Sequence, residues 1–401
     1  MAIPLALARR RDYSGPAIFS YGFRPFFFAA AVWAALGIVL WLPQFFGEIA
    51  LPIAMGSLDW HVHEMLYGYV AAVIAGFLLT AVPNWTGRLP ICGLPLAMLA
   101  ALWLAGRIAI LVSAKVSLAV AAAIDVAFLA TMAAVVLREI VAGRNWRNLL
   151  VLAILLVLVA GNVLWHAEML SSGVGHYGPR IALAATITLI MTVGGRIVPS
   201  FTHNWIARCN PGRLPVPFAR YDGASIAVAA LALAMWVFLP SHPASGVLLV
   251  IAGVLHAARL ARWAGDRALA DRLILVLHVA YAFIPLGFLL LGSAILWPAM
   301  VPASAGLHAW TTGAIGLMTL AVMTRAALGH TGRPLVASGP TQAVYAFAIV
   351  AALTRIIAAF TGSSELLHLA AFAWLAAFGG YAASYAPLLL RRPPVWAGRG
   401  S

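Results

Sequence analysis

Twelve long apolar stretches dominate this chain, and no other feature of the sequence limits its fold as strongly. Each stretch has about 20 residues, the length that an α-helix needs to cross the hydrocarbon core of a bilayer. Hydrophobic residues make up 64% of the 401 positions and charged residues only 9%, whereas about a quarter of the residues in a soluble domain are charged. The sequence therefore predicts an all-α, polytopic integral membrane protein with about twelve transmembrane helices.

The predicted helices follow one another through mostly short loops, and no stretch has the composition of a separate soluble domain. Residues 1–401 are therefore expected to form a single transmembrane domain. The predicted helices lie at about 26–43, 60–82, 94–113, 117–140, 149–171, 180–202, 223–240, 244–264, 272–294, 303–328, 340–361 and 366–390.

The arginines are distributed unevenly between the loops. If the N-terminus is cytoplasmic, every second loop collects the arginines, while the opposite loops hold only Lys115 and Arg180. This is the positive-inside bias, and it predicts that both termini are cytoplasmic. The net charge of +14 therefore reflects membrane topology, and no nucleic acid partner is expected. The arginines on the predicted inner side are Arg9–Arg11, Arg88, Arg138, Arg144, Arg147, Arg208, Arg213, Arg220, Arg259, Arg262, Arg267, Arg272, Arg333, Arg391, Arg392 and Arg399.

One part of the sequence repeats weakly. The run from His63 to Arg88 ends in Thr-Gly-Arg, and the run of equal length from His308 to Arg333 ends in the same way. Helices 1–4 therefore resemble helices 9–12, with helices 5–8 as a more diverged third unit. The alternative to a repeat is that the similarity arose by chance, because the sequence is made up largely of a few apolar residue types. The predicted units cover residues 20–140, 145–265 and 272–390.

Histidines inside the apolar stretches are the main candidates for chemistry, because ionisable residues in a membrane usually serve a function. The second helix opens with His61 and His63, the fifth ends near His166, and the tenth opens with His308; His278 lies early in the ninth. Imidazoles from separate helices suit haem iron or copper. His61 and His63 diverge by about 200° on a regular helix, so they do not both bind one ion. The alternative to metal binding is that these histidines lie near the lipid headgroups because imidazole prefers that region. For His278 the alternative is a hydrogen bond to a neighbouring carbonyl.

Two arginines lie well inside their predicted helices. Arg107 and Arg355 belong to the third and eleventh helices, and an arginine at such a depth costs about 2.5–3.5 kcal/mol on insertion scales. Pairing with Asp125, Glu64 or Glu168 is one compensation. The other is a bound haem, because a guanidinium group binds a propionate through two parallel hydrogen bonds.

Six segments, in order along nearly the whole chain, resemble the NnrS family. Its members are haem- and copper-containing inner-membrane proteins associated with nitric oxide metabolism. The second segment reads Trp-His-Val-His-Glu-Met-Leu-Tyr-Gly, and the last is the long run through the tenth helix. The six segments are Tyr21–Phe28, Trp60–Gly68, Ala75–Arg88, Gly194–Pro199, Leu277–Gly287 and Leu307–Pro334.

The resemblance implies haem, expected to be b-type, together with copper, in a multi-pass protein of the bacterial inner membrane. It implies a role in nitric oxide metabolism and resistance to nitrosative stress, often alongside denitrification. Nitric oxide or iron–nitrosyl species are the expected partners, and quinol is a candidate electron donor. The resemblance supplies no settled reaction. An oxidoreductase related in chemistry to nitric oxide reductases is one hypothesis; a membrane transporter and a haem-based sensor or accessory protein without nitric oxide turnover are the others.

The expected cofactor site combines the histidines and the two buried arginines. His63 and His308 are the predicted principal iron ligands, and the propionates are assigned to Arg107 and Arg355. The further haem or copper ligands are His61, His278 and His166, of which His61 and His278 are expected, with His63 and His308, to bind metal directly.

Overall fold

A computed structural model describes residues 13–391. The predicted inner-side residues Arg9–Arg11, Arg392 and Arg399 lie outside these described residues.

The predicted all-α membrane fold is confirmed. Twelve helices are long and apolar enough to cross a membrane, and the described residues contain no strand. The helices are α1 (Phe23–Phe45), α2 (Ser57–Thr86), α3 (Leu94–Leu111), α4 (Leu118–Ala142), α5 (Trp146–Ser172), α6 (Tyr177–Cys209), α7 (Arg220–Phe238), α8 (Pro243–Ala261), α9 (Arg272–Leu296), α10 (Ala303–His330), α11 (Gly339–Thr361) and α12 (Ser364–Leu390).

Helices α2, α6 and α10 each contain a stretch of π-helix, a wider turn that is often found at functional sites. These stretches are Glu64–Val70, Ile190–Gly194 and Ala309–Gly316. The first begins directly after His63 and the third directly after His308. The three helices are spaced by four along the chain, which is the spacing of the predicted repeat; the repeat itself stays a prediction.

The contacts divide the chain into two compact units. The first unit contains residues up to Ala182, Ala326–Pro334, and residues from Tyr381 onward; the second contains Leu183–Arg325 and Leu335–Gly380. Helices α1–α5 thus belong to the first unit, and α7–α9 and α11 to the second. This division follows packing and does not test the three predicted sequence units.

Close helix packing in the first unit depends on glycine. A Cβ atom on Gly76 of α2 would lie 2.7 Å from the Phe27 ring of α1, so the two backbones approach closely where Gly76 has no side chain. The outward faces carry large apolar side chains, such as Leu94 at 73% and Met98 at 62% exposure. Apolar groups on the outside suit a surface that meets lipid.

Candidate metal centre

A cluster of buried polar side chains lies within the first unit, where four helices contribute to it. We call it the buried polar cluster. None of its members exposes more than 3% of its surface, so each must be neutralised or hydrogen-bonded by its neighbours. Its members are His63 and Glu64 of α2, Arg107 of α3, Asp125 of α4, and Asn162 and His166 of α5.

The start of the π-helical stretch brings two adjacent residues of α2 into the cluster. His63 ends the regular turn and Glu64 begins the wider one. Both side chains are fully buried, and Nδ1 of His63 lies 3.0 Å from Oε1 of Glu64. A carboxylate oxygen accepts hydrogen bonds, so Nδ1 carries the proton, and in the neutral imidazole Nε2 keeps its lone pair. This arrangement, in which a carboxylate fixes the tautomer, is typical of metal-binding histidines.

Arg107 joins the two carboxylates of the cluster. Its Nη1 donates to both oxygens of Glu64, at 2.7 and 2.8 Å, and its Nη2 donates to Oδ1 of Asp125. The indole of Trp33 donates to Oε2 of Glu64 at 2.7 Å. The guanidinium group of Arg107 is therefore bound by carboxylates. Pairing with a carboxylate was one of the two explanations that the sequence suggested for an arginine at this depth.

Two glycines make room for this network. A Cβ atom on Gly68 would lie 2.6 Å from the Trp33 indole nitrogen and 2.9 Å from Nη1 of Arg107. Gly106 has the same effect between α3 and α4, since its Cβ would lie 3.3 Å from the Cα of Asp125. The glycines therefore let Arg107 reach both of its partners.

Asp125 lies between the two imidazoles. Its Oδ2 is 3.3 Å from Nε2 of His63 and 3.0 Å from Nε2 of His166, and it accepts a hydrogen bond from Asn162 at 2.9 Å. His63, Asp125 and His166 each offer one ligand atom, and these atoms lie within 4.8 Å of one another. Two ligands bound to one ion at about 2.0–2.2 Å lie at most about 4.4 Å apart, and the separations of 3.3 and 3.0 Å between Asp125 and the two imidazoles fall within this limit. The three side chains can therefore hold a metal ion.

The charges of the cluster do not balance when both imidazoles are neutral. One guanidinium group faces the two carboxylates Glu64 and Asp125, so one negative charge is left over in a buried site. In addition, the Nε2 lone pair of His63 faces the acceptor Oδ2 of Asp125. A cation between these atoms would remove the repulsion and neutralise the site.

Two other groups that the sequence placed near this site have separate roles. His61 is half-buried and stacks on Trp41, with ring centroids 4.0 Å apart. Its divergence from His63 agrees with the helical geometry. The carboxylate of Glu168 accepts hydrogen bonds from the backbone N–H groups of His176, Tyr177 and Gly178, at 2.8, 2.8 and 3.1 Å. Glu168 therefore stabilises the beginning of α6.

His278 and His308 lie in the second unit, each with a hydrogen bond from one ring nitrogen. Nε2 of His278 lies 2.9 Å from the hydroxyl of Thr202. Nδ1 of His308 donates to the backbone carbonyl of Ser304 at 2.7 Å, which leaves Nε2 with its lone pair. Arg355 of α11 has no hydrogen bond or ion pair to any described residue.

A second buried network, in the second unit, was not recognised in the sequence. Arg259 was assigned to an inner loop, but it lies in α8 with no exposed surface. Its Nε donates to Asp222 at 3.0 Å, and its Nη1 donates to the Met191 carbonyl at 3.0 Å and to the Tyr281 hydroxyl at 2.9 Å. His256 lies 2.8 Å from the same hydroxyl. This network ties the π-helical part of α6 to helices α7, α8 and α9.

Asp125 was not identified in the sequence as a candidate ligand, and Asn162 was not identified at all. Asp125 was considered only as a partner for an arginine. A usable signal was present, because Asp125 is the one acidic residue in the apolar middle of α4. Asn162 and His166 are four residues apart and therefore share one face of α5.

The comparisons with known proteins agree with the resemblance noted in the sequence. The family model described as NnrS protein matches residues 17–392. No curated protein matches the chain. Because the model covers nearly the whole chain, from before α1 to beyond α12, the twelve-helix protein described here belongs to the NnrS family.

Proposed function

We propose that this protein is a metal-dependent membrane protein of nitric oxide metabolism, with its metal bound by His63, Asp125 and His166. Membership of the NnrS family supports a membrane role related to nitric oxide. The observation that carries the metal proposal is the convergence of two imidazoles and a carboxylate within 4.8 Å, in a fully buried site.

Copper is the metal we propose for this site. Imidazole is a good ligand for copper, as it is for zinc and iron. The cluster has one negative charge in excess, so a monovalent ion such as Cu(I) would leave it neutral. Bound copper would supply one-electron exchange and a coordination position for a small molecule such as nitric oxide.

The protein's own side chains would prepare the site for the ion. Glu64 holds His63 in the tautomer whose Nε2 is free to bind, and Arg107 fixes the positions of Glu64 and Asp125 by binding both of them. The rings of Tyr67 and Trp165 cover His63, at 5.2 and 5.6 Å between centroids, and exclude water. Exclusion of water strengthens the electrostatic interactions within the cluster.

Haem does not fit the buried polar cluster. Both terminal nitrogens of Arg107 are bound to carboxylates, which leaves only Nε and no pair of nitrogens for a propionate. The imidazole of His63 is covered by aromatic rings, with the ring of His166 at 5.0 Å. His308 fits haem iron better, since its Nδ1–H is held by a carbonyl and its Nε2 is free. We propose His308 as the candidate iron ligand if haem is bound.

The remaining assignments are proposals from the family and the loop charges. We propose the bacterial inner membrane with both termini in the cytoplasm, nitric oxide or iron–nitrosyl species as partners, and quinol as a candidate electron donor. A role in resistance to nitrosative stress fits the same picture. Transport is less well supported, because α2 and α10 are continuous helices whereas many transporters bind their substrates at broken helices.

Metal analysis of the purified protein tests the proposal. We expect about one copper per chain in the wild type, and at least a tenfold lower content in His63→Gln, Asp125→Asn and His166→Gln. His61→Gln is the matched control, because His61 lies on the same helix but stacks on Trp41; its copper content should equal that of the wild type. Equal copper in all four variants would exclude this site. Pyridine-haemochrome analysis of wild type and His308→Gln tests the haem assignment separately.

A role in nitric oxide metabolism is tested in cells. We expect that expression of the wild type improves growth under nitric oxide, and that the three ligand variants do not. If the variants bind no copper but still protect the cells, the metal site is separate from the role in nitric oxide metabolism.

A further inference from the structure

Asn162 of α5 touches the oxygen that Asp125 offers to the metal. Its side chain is fully buried, and its Nδ2 donates to Oδ2 of Asp125 at 2.9 Å. A carboxylate oxygen can only accept, so the NH2 group of the amide faces it. The same Oδ2 atom lies 3.3 and 3.0 Å from the Nε2 atoms of His63 and His166. Asn162 is therefore a neutral side chain in direct contact with the proposed ligand set.

The other end of this amide is not satisfied by the protein. Oδ1 of Asn162 is buried and accepts no hydrogen bond from any described residue. A buried acceptor without a donor destabilises a protein, so support of Asp125 alone does not explain the amide. Nε2 of His63 and Nδ1 of His166 are also buried, without a hydrogen-bond partner among the described residues. Such atoms indicate a group that comes from outside the chain.

The net charge of the cluster favours a singly charged ion. Arg107 is the one cation that binds Glu64 and Asp125, and metal binding requires neutral imidazoles, so the excess is one negative charge. In a buried site, an ion that leaves charge uncompensated is disfavoured. A monovalent ion makes the cluster neutral, whereas a divalent ion leaves one positive charge.

The second buried network has no such excess. There Arg259 pairs with Asp222 at 3.0 Å, one guanidinium group for one carboxylate. Both ring nitrogens of His256 have partners, the Tyr281 hydroxyl at 2.8 Å and the Ser225 carbonyl at 3.3 Å. A buried arginine of this chain can thus be paired one to one. The negative excess therefore belongs to the buried polar cluster in particular.

We propose that Asn162 determines the metal specificity of the cluster: it binds Asp125 without adding charge, so the site favours Cu(I) over Zn(II). An aspartate has nearly the same shape and would bring a second negative charge, which a divalent ion would neutralise. The oxygen that has no partner in Asn162 would then belong to a carboxylate and could bind the ion. This inference rests on the proposed function, since it takes His63, Asp125 and His166 as the ligands.

Competition between the two metals tests the proposal. Metal-free protein, from cells grown without added copper or zinc, is equilibrated in detergent with chelator-buffered Cu(I) and Zn(II) at equal free concentrations. Anaerobic, reducing conditions keep copper as Cu(I), because Cu(II) outcompetes Zn(II) at most sites. Elemental mass spectrometry measures the bound metals. We expect the bound copper-to-zinc ratio to be at least tenfold lower in Asn162→Asp than in the wild type.

Two further variants separate specificity from support. Asn162→Ala removes the hydrogen bond to Asp125 without adding charge. It can lower the total metal content, but its copper-to-zinc ratio should stay within threefold of the wild type. Asn84→Asp adds the same charge at an exposed position of α2 and should change neither the content nor the ratio. If Asn162 only supports Asp125, the alanine and aspartate variants of Asn162 will have the same ratio.

The double variant Asn162→Asp/Asp125→Asn exchanges the two side chains and restores the net charge. Its copper-to-zinc ratio should return to within threefold of the wild type. Because it adds no charge to the bundle, it also tests the proposal if Asn162→Asp does not fold. A double variant that prefers zinc would show that the position of the carboxylate, and not the net charge, sets the specificity.

The outcomes distinguish this inference from the proposed function. A wild type that binds copper, together with an unchanged ratio in Asn162→Asp, would overturn the role of Asn162 alone. A wild type that binds Zn(II) in preference to Cu(I) would overturn both the specificity and the choice of copper. A wild type that binds neither metal would refute the metal site itself, and this inference with it.

Discussion

Arg107 holds Glu64 through both carboxylate oxygens, at 2.7 and 2.8 Å from one guanidinium nitrogen, and neither side chain retains more than 1% of its surface. Together with Asp125 they form a charged triad inside an apolar bundle. Removing one member of a buried charged group is much more damaging than replacing the whole group by apolar residues.

Arg107→Gln should therefore destabilise the protein strongly. The substitution leaves two buried carboxylates without their cation, and the expected loss is about 3–5 kcal/mol in the free energy of unfolding. Denaturant titration in detergent micelles measures it. Arg138→Gln, at a mostly exposed arginine, is the control and should change the stability by about 0.5 kcal/mol or less. The double variant Arg107→Gln/Glu64→Gln should recover part of the loss, because one uncompensated charge is removed. A double variant less stable than Arg107→Gln would contradict this account.

Gly68→Ala should disturb the cluster by steric conflict. A methyl group there would lie 2.6–2.9 Å from the polar ends of Trp33, Glu64 and Arg107, and overpacking of this kind typically costs about 1–3 kcal/mol. We also expect at least a threefold lower copper content. Gly379→Ala in α12 is the matched control, since nothing lies within 4 Å of its added Cβ; it should be neutral or slightly stabilising. Equal metal content and stability in the two variants would show that Gly68 is not required.

The sequence predicted the fold well because membrane helices are specified locally. Length, hydropathy and the absence of charge define each helix, and all twelve were found, although the end of α6 was placed at residue 202 rather than Cys209. The beginning of α2 was placed three residues too late, at Trp60 rather than Ser57, because the first turn contains Asp59 and reads as polar.

The site was harder to predict because its members come from four helices. Hydropathy does not say which faces of α2, α4 and α5 meet. His63 was identified from its depth in the membrane, but the role of Asp125 depends on the close approach of α3 and α4 at Gly106. The π-helical turn after His63 was also not predicted, because no pattern in the sequence distinguishes it from a regular α-helical turn.

Glu168→Gln should weaken the beginning of α6 without affecting the metal. The carboxylate accepts three backbone N–H bonds there, and its charge interacts favourably with the helix N-terminus. We expect a loss of about 1 kcal/mol, together with faster amide hydrogen exchange at residues 176–178. Glu48→Gln, an exposed glutamate between α1 and α2, should leave both quantities unchanged. Loss of copper in Glu168→Gln would instead place this residue in the metal site.

Tyr281→Phe should destabilise the second unit and leave the copper content of the protein unchanged. The Ser225 carbonyl can only accept, and it lies 3.3 Å from Nε2 of His256. Nε2 therefore carries the proton, and the Tyr281 hydroxyl donates to Nδ1 of His256 at 2.8 Å while accepting from Arg259 at 2.9 Å. Removing this one oxygen leaves an acceptor and a donor unpaired in a buried network.

The expected cost of Tyr281→Phe is about 1–3 kcal/mol, measured by denaturant unfolding. Tyr177→Phe, at a tyrosine 40% exposed, is the control and should cost about 0.5 kcal/mol or less. Hydrogen exchange gives a second readout, because Arg259 also binds the Met191 carbonyl in the π-helical turn of α6. We expect faster exchange around residues 190–194 in Tyr281→Phe only. Unchanged exchange there would mean that Arg259 holds the π-helical turn without help from Tyr281.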